Sequence, residues 1–556
     1  MSNLQAINAA RRAELAGPAG VRGLIKNPRL FRLAIITTLG ALCYGGSVGY
    51  EQGAYSQVLV MDAFVNNPKF SRIANDSSFK GWSVSTLGLG GWVGALSNGY
   101  LCDILSRRWT LLVGAIICLL GTGLTTGARD SSYMFAGRFF IGWAVGSLSA
   151  AVPLYNSEIS PPELRGTVVS IQQLAIVTGI CISFWVGYGT NFISETNSAS
   201  WRVCLAGQGI PALALALLTF TLPYTPRWLI RKGRGPEALQ TLAWLRKLPQ
   251  DSEIVQLEYL EIQAEAMFEA ETTAERFPNL VGGGAFTEFK LQIAHFGELF
   301  TTIHMFRRTA VACLTQFFQQ MSGIDAIVYY APTIFQSLGL GAKTVSLLAA
   351  GVIGIVFVIS TLPAIASIDR IGRRPLLIIG GAGMALMLIL IAALTATYQP
   401  EWNKPAAAWS TATFIWLYVA FFGASWVGPV SWTVISEVFP LSTRAHGVAL
   451  GASANWMTNA STILRNFVVG IIVPDMLDHI TYGTYLFFLM FMLMGIAFAI
   501  WVLPETFGKS LEEMDLAFGS GEGQADMARM ERILMSLRDQ EEKRGNSVDS
   551  NKNEAV

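Results

Sequence analysis

Asp103-Ile104-Leu105-Ser106-Arg107-Arg108 and Asp369-Arg370-Ile371-Gly372-Arg373-Arg374 carry one acid and one arginine pair at the same spacing, each closing a long apolar run. Two further pairs follow in the same order: Ser157-Glu158-x6-Arg165 with Ser436-Glu437-x6-Arg444, and Pro223 with Pro504. Three matches in sequence order mean that the chain is a duplication. Around them lie twelve segments of about 20 mostly apolar residues, the length that spans a bilayer: 33–53, 82–102, 109–128, 132–154, 167–190, 201–223, 308–332, 343–368, 375–397, 410–436, 447–473 and 482–503. The reading is an all-α membrane protein in which two six-helix pseudo-repeats flank a polar, helical loop. Its divisions are a basic N-terminus 1–32, an N-terminal bundle 33–223, the loop 224–307, a C-terminal bundle 308–503 and a charged, partly disordered tail 504–556.

Composition agrees. Of 556 residues, 52% are hydrophobic and only 14% charged, against about 25% charged in soluble domains. Thirty-nine Lys+Arg against 38 Asp+Glu leave no global basic field for nucleic acid. Cys43, Cys102, Cys118, Cys181, Cys204 and Cys313 sit in or beside apolar runs and read as small hydrophobes, not as a disulfide framework. His295, His304, His446 and His479 show no metal spacing, so no metal, cofactor or enzymatic activity is expected. Arginines gather before the first span, between the second and third, in the central loop and between the eighth and ninth. The positive-inside rule makes all of these, and both termini, cytosolic. Asn75-Asp76-Ser77 is then an external glycosylation sequon.

Gly137-Arg138, the two Asp-x3-Arg-Arg motifs, Pro223-Tyr224-Thr225-Pro226-Arg227, Gln319-Gln320-Met321-Ser322-Gly323-Ile324-Asp325, Gly428-Pro429-x2-Trp432, Asn455-Trp456 and Pro504-Glu505-Thr506 resemble the sugar porter family of the major facilitator superfamily, in its fungal monosaccharide branch, from about residue 33 to 515. The resemblance implies alternating access between the two bundles, a small-molecule sugar as partner, a plasma-membrane location and function as a monomer.

Glu51 is the only charge between Arg32 and Asp62, and Arg138 the only one between Asp130 and Glu158. A lone charge within a span costs about 2.5–3.5 kcal/mol and needs a partner or a task. The first span runs away from Arg32 and the fourth towards Glu158, so at about 1.5 Å per residue both charges lie roughly 30 Å from the cytosolic boundary. They are placed to meet. Burial opposes the charged carboxylate and the guanidinium favours it, so a rearrangement that parts them switches proton binding on. Proton-coupled relatives are understood to carry an acid at the position of Glu51 and uniporters an amide; here the acid is one methylene longer than the usual Asp.

A sugar offers hydroxyls that donate and accept, which suits amides and an aromatic face. Gln173, Gln319, Gln320, Asp325, Trp432, Asn455, Trp456 and Asn459 are the substrate-binding candidates, and the resemblance places Gln173, Gln319, Gln320, Trp432 and Asn455 at sugar-contacting positions. Ser322-Gly323 allows the seventh helix to unwind beside them. Asp325 stands where many members have Asn, Ser106 replaces a Gly, Tyr224 replaces a Glu, and Arg465 matches nothing in the family pattern. Asp103, Arg107, Arg108, Glu158, Arg165, Asp369, Arg373, Arg374, Glu437 and Arg444 form the expected cytosolic gate, ion pairs that break when the bundles rock. The resulting expectation is import of a hexose or pentose with a proton. A facilitative uniporter, a carrier of a polyol or sugar acid such as galacturonate or quinate, and a non-transporting sugar sensor are the alternatives.

Overall fold

The computed structural model describes residues 11, 20–45, 50–280, 284–339, 343–399, 402, 404–460, 469–507, 509 and 511–553. Helices account for nearly all of them, and no strand occurs among the described residues. Eight helices are individually long and apolar enough to cross a membrane. These are the third (Arg107–Thr126), fourth (Ser131–Ile159), fifth (Pro162–Thr190), eighth (Lys343–Ile371), ninth (Arg373–Tyr398) and twelfth spans (Gly483–Trp501), with the sixth (Ala199–Ala206 and Gly209–Leu218) and tenth (Pro405–Ser425 and Gly428–Glu437) each in two pieces.

The other four are the first (Pro28–Gly45 and Glu51–Val58), second (Ser77–Leu105), seventh (Ile303–Met321 and Ile324–Ser337) and eleventh (Arg444–Ala460 and Val469–His479). They are polar, glycine-rich or broken because neighbouring helices, not lipid, cover their polar faces. Several helices outrun the apolar segments read from sequence: the fifth begins at Pro162 and the first reaches Val58. The added residues are largely polar, so hydropathy carries no signal for them.

Within the N-terminal bundle the fourth span packs on the second and third; in the C-terminal bundle the tenth packs on the eighth and ninth, and the twelfth on the ninth. The bundles meet along two pseudo-symmetric seams, fifth against eighth and second against eleventh. Backbone contact makes the second–fourth packing possible: a Cβ on Gly90 or Gly94 would run into the Phe139 or Trp143 carbonyl, and one on Gly142 or Gly146 into the Leu87 or Gly91 carbonyl. Small residues four apart let membrane helices approach this closely.

The face bearing the central loop is called the loop face and the other the distal face. At the distal face Glu51–Val58 packs on Ile324–Ser337, and the Ser77 hydroxyl donates to Asp475 between second and eleventh spans, so the two bundles are joined there.

At the loop face the central segment forms helices Gly235–Arg246, Glu253–Arg276 and Ala285–Glu298. The tail differs from the disordered expectation. Leu511–Phe518 and Glu522–Asn553 are helical, and Met530, Ile533, Leu534 and Leu537 bury against Leu260, Ala264 and Phe268 of the loop helix. Arg529 pairs with Glu275, while Asp515 reaches Arg308 at 2.6 Å in a buried ion pair at the base of the seventh span. An apolar stripe hidden among charges supplies the burial that a charge count misses.

Candidate functional site

Glu51 opens the distal piece of the first span, and Arg138 lies about two turns into the fourth. Arg138 Nη1 donates to Glu51 Oε1 at 2.6 Å, and neither side chain has any solvent exposure. The guanidinium also donates through Nε to the Ser83 carbonyl at 2.6 Å and through Nη2 to the Val84 carbonyl at 3.2 Å, and lies 3.7 Å from the Tyr55 ring centroid. The Tyr55 hydroxyl is held 2.9 Å from Ser83 Oγ. Arg138 is therefore held by the second span and by Tyr55 as well as by the acid.

The amides gather where the seventh span breaks. Gly323 adopts φ 95°, a left-handed conformation that costs a side-chain-bearing residue energy and glycine little. The helix on its loop-face side presents Gln316, Gln319 and Gln320 together. Asn455 of the eleventh span donates to Gln316 Oε1 at 2.8 Å and to Gln319 Oε1 at 3.0 Å; Gln320 donates to Asn455 Oδ1 at 2.9 Å, and Gln319 to the Trp426 carbonyl at 2.8 Å. The four amides are linked by these bonds, while Gln316 Nε2 is buried without a hydrogen-bond partner among the described residues. Gln316 escaped the sequence reading although it stands three and four residues before the other two, on the same helical face.

Asp325, half-buried, follows the break; its charge acts on Tyr329 and on Tyr418, whose hydroxyl donates to the Ser322 carbonyl at 2.8 Å. Gln173 is half-buried on the fifth span, and Trp432 packs beside Met305 and Phe439 towards the loop face. Trp456 sits instead in the seam between bundles, its ring on Gly91 and its Nε1 donating to Ser149 Oγ at 3.3 Å. The side chains of Asn459, Arg165 and Asp369 lie outside the described residues, as does Arg465.

The charge motifs pair mainly within each bundle. Arg107 reaches Asp103 at 3.2 Å and Glu158 at 3.1 Å, and Arg373 reaches Glu437 at 2.8 Å. Arg108 and Arg374 donate to the Phe220 and Ala499 carbonyls, and Arg444 to that of Phe439. Arg231 joins Asp103 and Glu269 on the loop helix, and Arg227 joins Glu265 at 2.6 Å.

The bundles are bridged at the loop face by Gln292, which donates to Asp103 and lies 3.1 Å from His446 Nε2. His446 stacks on His295 with ring centroids 4.5 Å apart. Burial, then the neighbouring His295, pushes the His446 pKa down to about 4, and burial followed by Arg276 lowers that of His295.

The two departures at the first motif are linked. Ser106 and Gly372 share one backbone conformation, with φ 84° and 93°. In the second half the Glu505 carboxylate accepts from the Arg373 and Arg374 amides and would contact a Cβ on Gly372. In the first half the Ser106 Cβ occupies that space, its hydroxyl caps the Trp109 amide, and Tyr224 accepts from Trp109 Nε1 at 3.0 Å.

A duplicated twelve-helix bundle with amides gathered on a broken helix defines a secondary transporter of the major facilitator fold. Residues 33–518 match the family model described as "Sugar (and other) transporter", and the chain belongs to that family. It is 31% identical over 504 residues to a probable quinate permease of Aspergillus niger, covering 89% of this chain and 88% of that one. It is 30% identical to the quinate permease of Emericella nidulans over 89% of each chain, and 32% identical to the MFS-type transporter qa-x of Neurospora crassa, again over 89% of each. Among solved structures it resembles the proton:xylose symporter XylE bound to 6-bromo-6-deoxy-D-glucose, with TM-score 0.66 and 25% identity over 88% of this chain and 98% of that one. XylE from E. coli in a partially occluded inward open conformation gives TM-score 0.67 at 25% identity, over 86% and 99%.

Proposed function

We propose that the protein imports a neutral monosaccharide, a hexose or pentose, together with a proton, across the plasma membrane and as a monomer, with the loop face and both termini cytosolic and Asn75 glycosylated outside. The observation that carries the coupling is the Glu51–Arg138 pair, wholly enclosed at 2.6 Å. A buried acid whose cation is anchored elsewhere can bind a proton when the two part, and the cost of leaving either charge alone ties proton binding to the movement of the bundles. Gln316, Gln319, Gln320 and Asn455 form the hydroxyl-reading cluster, with Asp325, Gln173 and Trp432 around it. The loop-face pairs of Asp103, Arg107, Glu158, Arg373 and Glu437 act as the gate. The proton:xylose symporter shares this fold.

A second reading, transport of a polyhydroxylated acid, is favoured by the quinate permeases among its relatives; the side chains named around the amide cluster are neutral apart from Asp325, which opposes an anion. Uptake of labelled xylose, glucose, galacturonate and quinate by cells lacking their own carriers, with and without a protonophore, tests both readings. Accumulation of a neutral sugar that collapses with the protonophore supports the first. Accumulation of quinate or galacturonate alone selects the second, and equilibrating uptake unaffected by the protonophore removes the coupling.

A further inference from the structure

The sixth span breaks at Gly207-Gln208-Gly209, two residues before Pro211, whose ring removes a backbone donor from the helix ladder. The break aims Gln208, 1% exposed, at the carboxylate of Glu51, on which its side chain acts. Glu51 Oε1 accepts from Arg138, whereas Gln208 comes near the carboxylate without a well-formed bond: Glu51 Oε2 and both polar atoms of Gln208 are buried and make no hydrogen bond of good geometry among the described residues. Three unsatisfied polar atoms side by side are rare in native proteins and call for a further participant. One proton on Oε2 satisfies the carboxyl and one amide atom at a stroke. The neighbouring hydroxyls are already committed: Tyr50 donates to the Cys204 carbonyl at 2.9 Å, and Tyr55 is tied to Ser83.

We propose that Gln208 is the positioning residue for the proton-bearing form of Glu51, its Oε1 accepting from the new carboxyl O–H as Glu51 and Arg138 part. This rests on the proton coupling proposed above. An amide suits the task because its Oε1 accepts from a carboxyl O–H while the side chain carries no charge of its own. In the step an O–H bond forms at Oε2 as an O–H bond of a hydronium ion on the distal side breaks, leaving water; on the loop side the carboxyl O–H breaks, the proton passes to water to form hydronium, and the carboxylate is restored. The ionisable groups facing Glu51 are Arg138 on the fourth span, Tyr50 and Tyr55 on the first, Cys204 on the sixth and Tyr329 on the seventh.

The test needs no substrate. Infrared difference spectra of the purified full chain in vesicles are titrated with pH, the protonated-carboxyl band of Glu51 being assigned by its loss in Glu51→Gln. Gln208→Met keeps the length and removes the hydrogen bonding. One neutral hydrogen bond is worth roughly tenfold in an equilibrium, so the midpoint of that band moves towards acid by about one pH unit in Gln208→Met. If Gln208→Met fails to fold, Gln208→Asn, which withdraws the amide by one methylene, is expected to move the midpoint in the same direction. A band that Glu51→Gln removes but whose midpoint is unmoved in the Gln208 variant overturns the role of Gln208 alone. A titrating band that survives Glu51→Gln overturns the proton reading of Glu51 and the inference with it.

Discussion

Removing either member of the Glu51–Arg138 pair destabilises the protein, but by different amounts and with different pH dependence. In Glu51→Gln, Arg138 keeps the Ser83 and Val84 carbonyls at 2.6 and 3.2 Å and the Tyr55 ring at 3.7 Å, which offset part of the loss of its countercharge. The loss is worth about 1–3 kcal/mol. In Arg138→Leu, Glu51 keeps no countercharge, and a buried pair broken in this way costs about 3–5 kcal/mol. The stranded carboxylate can escape by taking up a proton, so the Arg138→Leu penalty shrinks on acidification whereas the Glu51→Gln penalty does not. The double replacement by leucine recovers most of the loss, since hydrophobic pairs often match the ion pairs they replace. Denaturant unfolding of purified protein in micelles, followed by circular dichroism at pH 8 and pH 5, orders the variants. A larger cost for Glu51→Gln than for Arg138→Leu, or an Arg138→Leu penalty that ignores pH, refutes the reasoning.

Gly146→Val drives a branched side chain into the Gly91 carbonyl, a backbone contact that no rotamer relieves, and is expected to cost about 3 kcal/mol and to lower the yield of folded protein in size-exclusion chromatography. Phe268→Ala empties a site only 2% exposed under the tail helix, at about 3–5 kcal/mol locally; amide exchange over residues 522–540 should rise while the spans stay protected. His446 has its pKa depressed from 6.5 to about 4, so the unfolded or opened form binds the extra proton. The contribution of this contact is complete above pH 6.5 and is lost as pH falls towards 4. Amide exchange of 285–298 should quicken across that window in the wild type and be flatter in His446→Asn; a flat wild-type profile contradicts the assignment.

The duplication was legible because Asp103 to Arg108 and Asp369 to Arg374 mark equivalent helix ends, and the meeting of Glu51 with Arg138 followed from residue counting alone. Counting works for lone charges in spans that run on without reversing, where depth grows with residue number. It does not give rotation between helices, which is why Trp456 stands in the seam on Gly91 beside an Asn455 that joins the amides. Nor does composition show that Ser106 excludes a carboxylate which Gly372 admits, because that exclusion depends on a positive φ and, at Gly372, on the side chain of Glu505 at the far end of the same half. The tail misled for a simpler reason: the stripe Met530, Ile533, Leu534 and Leu537 has helical spacing but is outnumbered by charges.

The central claim is that the enclosed acid couples sugar movement to a proton, and the most direct measurement compares Glu51→Gln with the wild type in vesicles carrying an inward proton gradient. The account requires that Glu51→Gln loses accumulation above the external sugar concentration while sugar-for-sugar counterflow persists. Accumulation by Glu51→Gln that still tracks the imposed pH gradient would contradict it.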